Sequence, residues 1–193
     1  MTLRLNPRRF SFRMEQPVWR RLSRKTLLNS KYLKVYSDKV NLPSGYTIDD
    51  YTVATLPSGV VVVATDIDNN LITQYEYKYA IDRYILNLPS GSVEDGETPL
   101  DVAARELLEE TGYVSDEFEL IKTIYEYPSK LDHVIHVVRA KDARKLHSPS
   151  HEQSETIGPI KLISPTEAAG CDFNTSYNIA ALALTLPEYI KSA

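Results

Sequence analysis

The stretch at residues 91–113, GSVEDGETPLDVAARELLEETGY, constrains the fold more tightly than any other part of the chain. Its first half reads as a loop and its second half has the punctuation of a helix. Thr98 stands as a candidate N-cap, Pro99 at the first helical position and Asp101 where a capping box places an acid. Gly112 suits the left-handed residue that closes a helix. On such a helix Glu109 and Glu110 fall about 60° and 40° either side of Glu106. Leu100, Ala104, Leu107, Leu108 and Thr111 fall on the other side. The expectation is an inward apolar face and an outward face with three carboxylates. Like charges at this spacing cost roughly 0.2–0.5 kcal/mol per pair, and a bound divalent cation would turn that cost into a site. Taken alone, Glu-Leu-Leu-Glu-Glu is more often a solvated helix face, so the rest of the stretch has to decide.

Strands are expected on both sides of this helix. Residues 46–56, 59–66, 71–79 and 85–88 precede it, with Val60 to Val63 as a fully buried run. Residues 118–127, 131–139 and 157–163 follow it. A short strand at 32–36 lies in a basic segment that begins at Trp19. The polar run 141–155 is long and irregular, which in a compact domain marks a functional or mobile loop. A short helix starts at 164–167, and 176–186 is an amphipathic helix stopped by Pro187. The fold class is a mixed α/β or α+β domain. The chain divides into a flexible basic tail at 1–13, an N-terminal β-rich module at 14–56 and a main domain at 57–193.

The net charge of −4 hides an asymmetry, because residues 1–35 carry a net of +9 and the remainder −13. A basic, acid-poor start suits an organelle transit peptide or a nucleic-acid arm. The first is opposed by folded-looking sequence from Trp19 onward, and the second lacks a recognisable binding motif. Met14 is a candidate true start, which makes 1–13 an upstream tail. The single cysteine, Cys171, excludes an internal disulfide and fits a reducing compartment. No run of 18 apolar residues is present, so no membrane span is expected.

Read as a pattern, the opening stretch is Gly91, Glu97, then Arg105-Glu106-Leu107, Glu109-Glu110 and Gly112-Tyr113. This resembles the Nudix box, the signature of hydrolases that split a nucleoside diphosphate linked to another moiety. Every invariant position is filled, and only Tyr113 stands where the family has an aliphatic residue. The resemblance implies a Nudix fold, a mixed β-sheet between helices, with the N-terminal β-rich extension. The chemistry accounts for the residue types. A pyrophosphate repels an incoming nucleophile, and hard divalent cations such as Mg²⁺ or Mn²⁺ take oxygen ligands, neutralise that charge and acidify a bound water. By resemblance, Glu106 and Glu110 are the main metal ligands, with Glu109 assisting and the Ser90 carbonyl adding a ligand. Glu97 and Arg105 brace the loop against the helix.

The flanks resemble the ADP-ribose pyrophosphatase branch, which carries Gln-Tyr-Arg before the box and Glu-Leu-Pro-Ala-Gly leading into it. This chain has Glu76-Tyr77-Lys78 and Asn87-Leu88-Pro89-Ser90-Gly91. Glu76, Tyr77, Lys78 and Asn87 are therefore the expected substrate contacts. Three of them depart from the pattern, and Lys78 lacks the flat fork with which arginine grips phosphate. The general base is expected at Glu155, with Glu152 as the alternative. An exposed loop carboxylate explains either residue equally well. The resemblance further implies a small nucleotide-sugar substrate, no nucleic acid, a homodimer whose 14–56 modules cross between subunits, and a cytoplasmic enzyme. A non-catalytic Nudix module or hydrolysis of another diphosphate or triphosphate are the alternatives. His133 and His136 read as ordinary strand histidines on opposite faces. His147 and His151 fall in the polar loop. Tyr75, Tyr77, Tyr79 and Tyr84 suit base stacking, a subunit contact or plain strand propensity.

Overall fold

The structure, a computed structural model, describes residues 17–150, 156–168 and 170–186. The tail predicted at 1–13, and Met14, His151, Glu152, Glu155 and Pro187, lie outside the described residues. In chain order the elements are β1 Arg20–Asn29, β2 Lys34–Asn41, β3 Thr47–Thr55, β4 Gly59–Asp66, β5 Leu71–Lys78, β6 Arg83–Asn87 and β7 Ser90–Ser92. There follow α1 Pro99–Glu106, which continues as a π turn over Leu107–Thr111, β8 Tyr113–Val114, β9 Glu117–Tyr125, β10 Leu131–Asp132, β11 Val134–Lys145, β12 Ile157–Ile163, α2 Pro165–Ala168 and α3 Ser176–Thr185.

The valine run explains the architecture. Every residue of β4 is buried, which requires cover on both faces. Side chains alternate along a strand. Val60, Val62 and Ala64 therefore meet Val102, Ala103 and Leu107 of the acidic helix. Val61 and Val63 meet Ala181 and Leu182 of α3 on the other side. β11 lies parallel to β4 with Val137 beside Val61 and divides its side chains in the same way. A parallel pair needs a long crossover, and the stretch with α1 and β9 supplies it. β9 runs antiparallel to β11. β5 continues from β4 and is flanked by β6 and β12. The short β7 folds back on β4, with Gly91 opposite Val60. Among the described residues no helix is long and apolar enough to cross a membrane.

A second, four-stranded sheet runs β1-β2-β3-β10. It joins the first through the parallel pairs Leu131–Ala54 and Asp132–Thr55. β1 corrects the expectation of a basic segment with a strand only at 32–36. All ten of its residues are exposed, so no buried face imposed a period-2 pattern on its sequence. Pairing with β2 holds it instead, together with a two-pronged contact from Arg24 Nε and Nη2 to Asp38 Oδ1 and Oδ2, each 2.7 Å. The predicted loop 141–155 also begins later than expected, because β11 runs on to Lys145 and pairs with β8.

The acidic helix needs the other correction. Leu100 is 39% exposed and Ala104 is exposed, whereas Val102, Ala103, Glu106, Leu107, Glu110 and Thr111 are buried. The helix is rotated from the expected orientation, so its inward stripe is half apolar and half carboxylate.

Two measurements check this description. Leu182→Ala, which opens the α3 face of the core, is expected to lower the unfolding free energy by about 2–5 kcal/mol in a urea titration. The guanidinium of Arg24 holds the Asp38 carboxyl below its ordinary value of 3.8. Its contribution is thus complete above that pH and is lost as pH falls through the lowered folded value. Asp38→Asn should flatten the acid side of a plot of urea midpoint against pH.

Candidate active site

The helix that carries the carboxylates is fixed at both ends. Thr98 Oγ1 accepts from Asp101 N–H at 3.3 Å, and Asp101 Oδ2 accepts from Thr98 N–H at 2.9 Å, so the capping box is made. At the other end Gly112 adopts φ 72°, and its N–H donates to Leu108 O at 2.7 Å. The π turn between them was not legible in the sequence. Thr111 Oγ1 donates to Leu107 O within it.

Against this helix lies β7. A β-carbon on Gly91 would stand 1.7 Å from Glu106 Oε1, so only glycine permits the carboxylate to come this close. One step away, Ser90 N–H donates to Glu110 Oε2 at 2.9 Å. Glu110 is 1% exposed. Burial, then Glu106, then Glu76 hold its carboxyl well above the usual range, opposed by the Ser90 N–H. Glu109 is partly exposed.

Arg105 ties the loop to the helix. Its Nε and Nη2 donate to the two oxygens of Glu97 at 2.9 and 3.0 Å, and Nη1 donates to Glu106 Oε1 at 2.6 Å and to Glu109 Oε2 at 3.4 Å. The Glu97 carboxyl is held below its ordinary value, first by Arg105 and then by the Glu94 N–H. The two residues expected to brace the loop are in direct contact.

These groups line one side of a cleft of about 440 Å³. Glu76 and Lys78 form the opposite wall, joined as an ion pair. Asn87 lies beneath them, fully buried, and its Nδ2 donates to Glu76 Oε2 at 2.6 Å. Tyr77 does not join them. Strand alternation turns it to the other face of β5, where its hydroxyl donates to Asp82 Oδ1 at 2.6 Å and its ring packs on Tyr84. Tyr79 is 87% exposed. Glu152 and Glu155 fall outside the described residues. The residues that flank them are bonded beside the site: Ser150 N–H donates to Glu109 O at 2.8 Å, and Thr156 O accepts from Tyr77 N–H at 3.0 Å.

The structure adds wall residues that the sequence reading missed. Tyr177 lines the cleft and its hydroxyl donates to Asn87 Oδ1 at 3.2 Å. It comes from α3, far along the chain, and nothing in its local pattern links it to residues 91–113. His133 is not a strand residue. It precedes β11 and lines the cleft, with Nε2 3.8 Å from Glu126 Oε2. His136 is hydrogen-bonded to Thr123 at 2.8 Å on the sheet, and His147 contacts the Ser148 carbonyl. Cys171 is half-buried beside α3.

Among the described residues no three acidic, histidine or cysteine side chains converge as ready metal ligands. Arg105 draws on Glu106 and Glu109, and Glu110 lies on Ser90 N–H. The donor set nevertheless fits a hard divalent cation. It consists of carboxylate oxygens, one of them wholly buried against like charge, set about a glycine cradle that keeps Glu106 in place. Glu106, Glu109 and Glu110 could hold such an ion, with the Ser90 carbonyl beside them.

A mixed sheet between α1 and α3, with carboxylates gathered over a loop glycine, agrees with what comparison finds. Residues 55–182 match the NUDIX domain model, and the chain belongs to the Nudix hydrolase family. Residues 19–54 match the nucleoside diphosphate sugar hydrolase N-terminal domain. The chain is 29% identical over 137 residues to a methanol dehydrogenase activator from Bacillus methanolicus, covering 70% of this chain and 74% of that one. It is also 29% identical over 121 residues to an ADP-ribose pyrophosphatase from Bacillus subtilis, covering 63% of this chain and 65% of that one. A crystal structure of an ADP compounds hydrolase shares the fold, with a TM-score of 0.74 at 24% identity over 89% of this chain and 92% of that one.

Gly91→Ala tests the cradle. The protein should stay folded by circular dichroism, while Mn²⁺ binding followed by electron paramagnetic resonance weakens by about 10–100-fold.

Proposed function

We propose that the protein hydrolyses the pyrophosphate bond of a nucleoside diphosphate sugar, with ADP-ribose the first candidate. Water adds to one phosphorus, the bridging P–O bond breaks, and a nucleoside monophosphate and a sugar phosphate leave. The observation that carries this reading is the union of an intact set of box carboxylates in one cleft with a module at 19–54 that matches the nucleoside diphosphate sugar hydrolase N-terminal domain. The names of the B. subtilis relative and of the fold neighbour point the same way.

A divalent ion, Mg²⁺ or Mn²⁺, held by Glu106, Glu109, Glu110 and the Ser90 carbonyl would supply charge neutralisation and acidify the attacking water. Arg105 orients Glu106 and, through Glu97, keeps the loop on the helix. Lys78 and Glu76 face the substrate across the cleft, Asn87 holds Glu76 in place, and Glu155, or Glu152 as the alternative, takes the proton from the water. The 14–56 module serves as a dimerisation arm, which accords with the exposed apolar residues Leu22, Leu27 and Leu28 on β1. The enzyme is read as cytoplasmic.

One comparison favours a second reading. The B. methanolicus relative is named as an activator of another enzyme, which suits a regulatory Nudix module. The retention of all the box carboxylates weighs against a module without catalysis. Turnover of ADP-ribose, GDP-mannose, UDP-glucose, diadenosine polyphosphates and triphosphates with Mg²⁺, read by phosphate release, separates the readings. ADP-ribose or another nucleotide sugar should be cleaved, and turnover of none would leave the regulatory module. In Glu110→Gln the rate on the best substrate should fall at least about 100-fold, the scale on which misplacement of a reacting group reduces rate. An unchanged rate at equal Mg²⁺ would remove Glu110 from the metal site.

A further inference from the structure

Glu76 is an unusual occupant of the cleft wall. It is 9% exposed and faces the same space as Glu106 and Glu109. A carboxylate in such a place is costly unless it is paired and hydrogen-bonded. Both conditions are met. Lys78, two residues along β5 and on the same face, donates its ammonium to Glu76 Oε1. Asn87 donates to Oε2 at 2.6 Å.

Asn87 is itself held from behind. Its Oδ1 accepts from Asn178 Nδ2 at 2.8 Å and from the Tyr177 hydroxyl at 3.2 Å. These donors from α3 leave the Asn87 amide N–H groups for Glu76 and for Ser90 Oγ at 3.4 Å. The reversed amide would set its oxygen against the Glu76 carboxylate. The pair is therefore built into the fold from α3 through β6 to β5.

We infer that the Glu76–Lys78 pair selects what is joined to the pyrophosphate, accepting a neutral, hydroxyl-bearing group and rejecting a further phosphate. The inference rests on the nucleotide-sugar reading above and assigns its discrimination to two side chains. An ammonium has three N–H donors, and a carboxylate accepts about four hydrogen bonds. After their mutual contact and the bond from Asn87, both groups keep capacity for a ligand in the cleft they line. A sugar hydroxyl can donate to Glu76 and accept from Lys78, and it brings no charge. A phosphate oxygen only accepts, and its charge meets Glu76 without a proton to offer. A lysine with no carboxylate beside it would favour the opposite choice.

The test is the ratio of kcat/KM for ADP-ribose to that for ATP at saturating Mg²⁺. It is measured for the parent, for Glu76→Gln and for Glu76→Gln combined with Lys78→Gln, with folding checked by circular dichroism. The ratio is the readout because a merely structural loss lowers both substrates alike. The parent should prefer ADP-ribose. Glu76→Gln, which frees Lys78 and removes the like-charge contact, should shift the ratio toward ATP by at least about tenfold. The double variant leaves no unpaired charge in the wall and serves where the single variant does not fold. It should shift the ratio in the same direction by a smaller factor. A folded variant that keeps the parent ratio overturns the assignment. A parent that prefers ATP, or cleaves neither, defeats the nucleotide-sugar reading itself and this assignment with it.

Discussion

A carboxylate oxygen of Glu106 fills the space that a β-carbon on residue 91 would take, and much of the molecule serves to keep those two groups together. The loop side is carried by β7, which is hydrogen-bonded to the wholly buried β4. The helix side is set by the Thr98 cap and by the burial of Val102, Ala103 and Leu107 on the same strand. Arg105 closes the arrangement by holding Glu97 from the loop and Glu106 from the helix at once. Because a core strand supports both sides, the spacing between loop and carboxylate inherits the rigidity of the interior. Such support keeps several like charges together at a place where each alone would prefer water.

How much of this could be read beforehand depended on whether the signal was local. The capping box, the closing glycine and the Val60–Val63 run each declare themselves within a few residues, and each appears in the structure as expected. The Glu97–Arg105 contact was legible only through the family resemblance. β1 was missed because its residues are exposed and nothing filtered them for alternation. The rotation of the acidic helix was missed for a different reason. Counting apolar residues presumes that carboxylates point outward, and here Glu106 and Glu110 are turned inward by what they face. Tyr177 and His133 reach the cleft through tertiary contacts that no spacing along the chain encodes. Tyr77 was placed by motif, and strand alternation sent it to the other face.

Cutting and choosing are thus handled by different parts of the scaffold. The groups over the loop glycine come from one continuous stretch. The opposite wall is assembled from β5, β6 and α3, with Asn87 as the residue all three share. A wall assembled in this way can change its chemistry by paired substitutions on one strand while the cleaving stretch stays as it is.

The π turn at Leu107–Thr111 carries a consequence of its own. A π turn holds one residue more than the α-helical turn it replaces, so this helix is already at an altered length. Loss of a single residue between 107 and 111 would restore regular winding and rotate all that follows by about 100°. Gly112 would then miss the N–H groups of Leu146 and His147, which its carbonyl now receives at 2.8 and 3.3 Å. The stretch can exchange one side chain for another, but it cannot exchange its length. In a lineage of such chains, insertions and deletions should stop short of it on both sides.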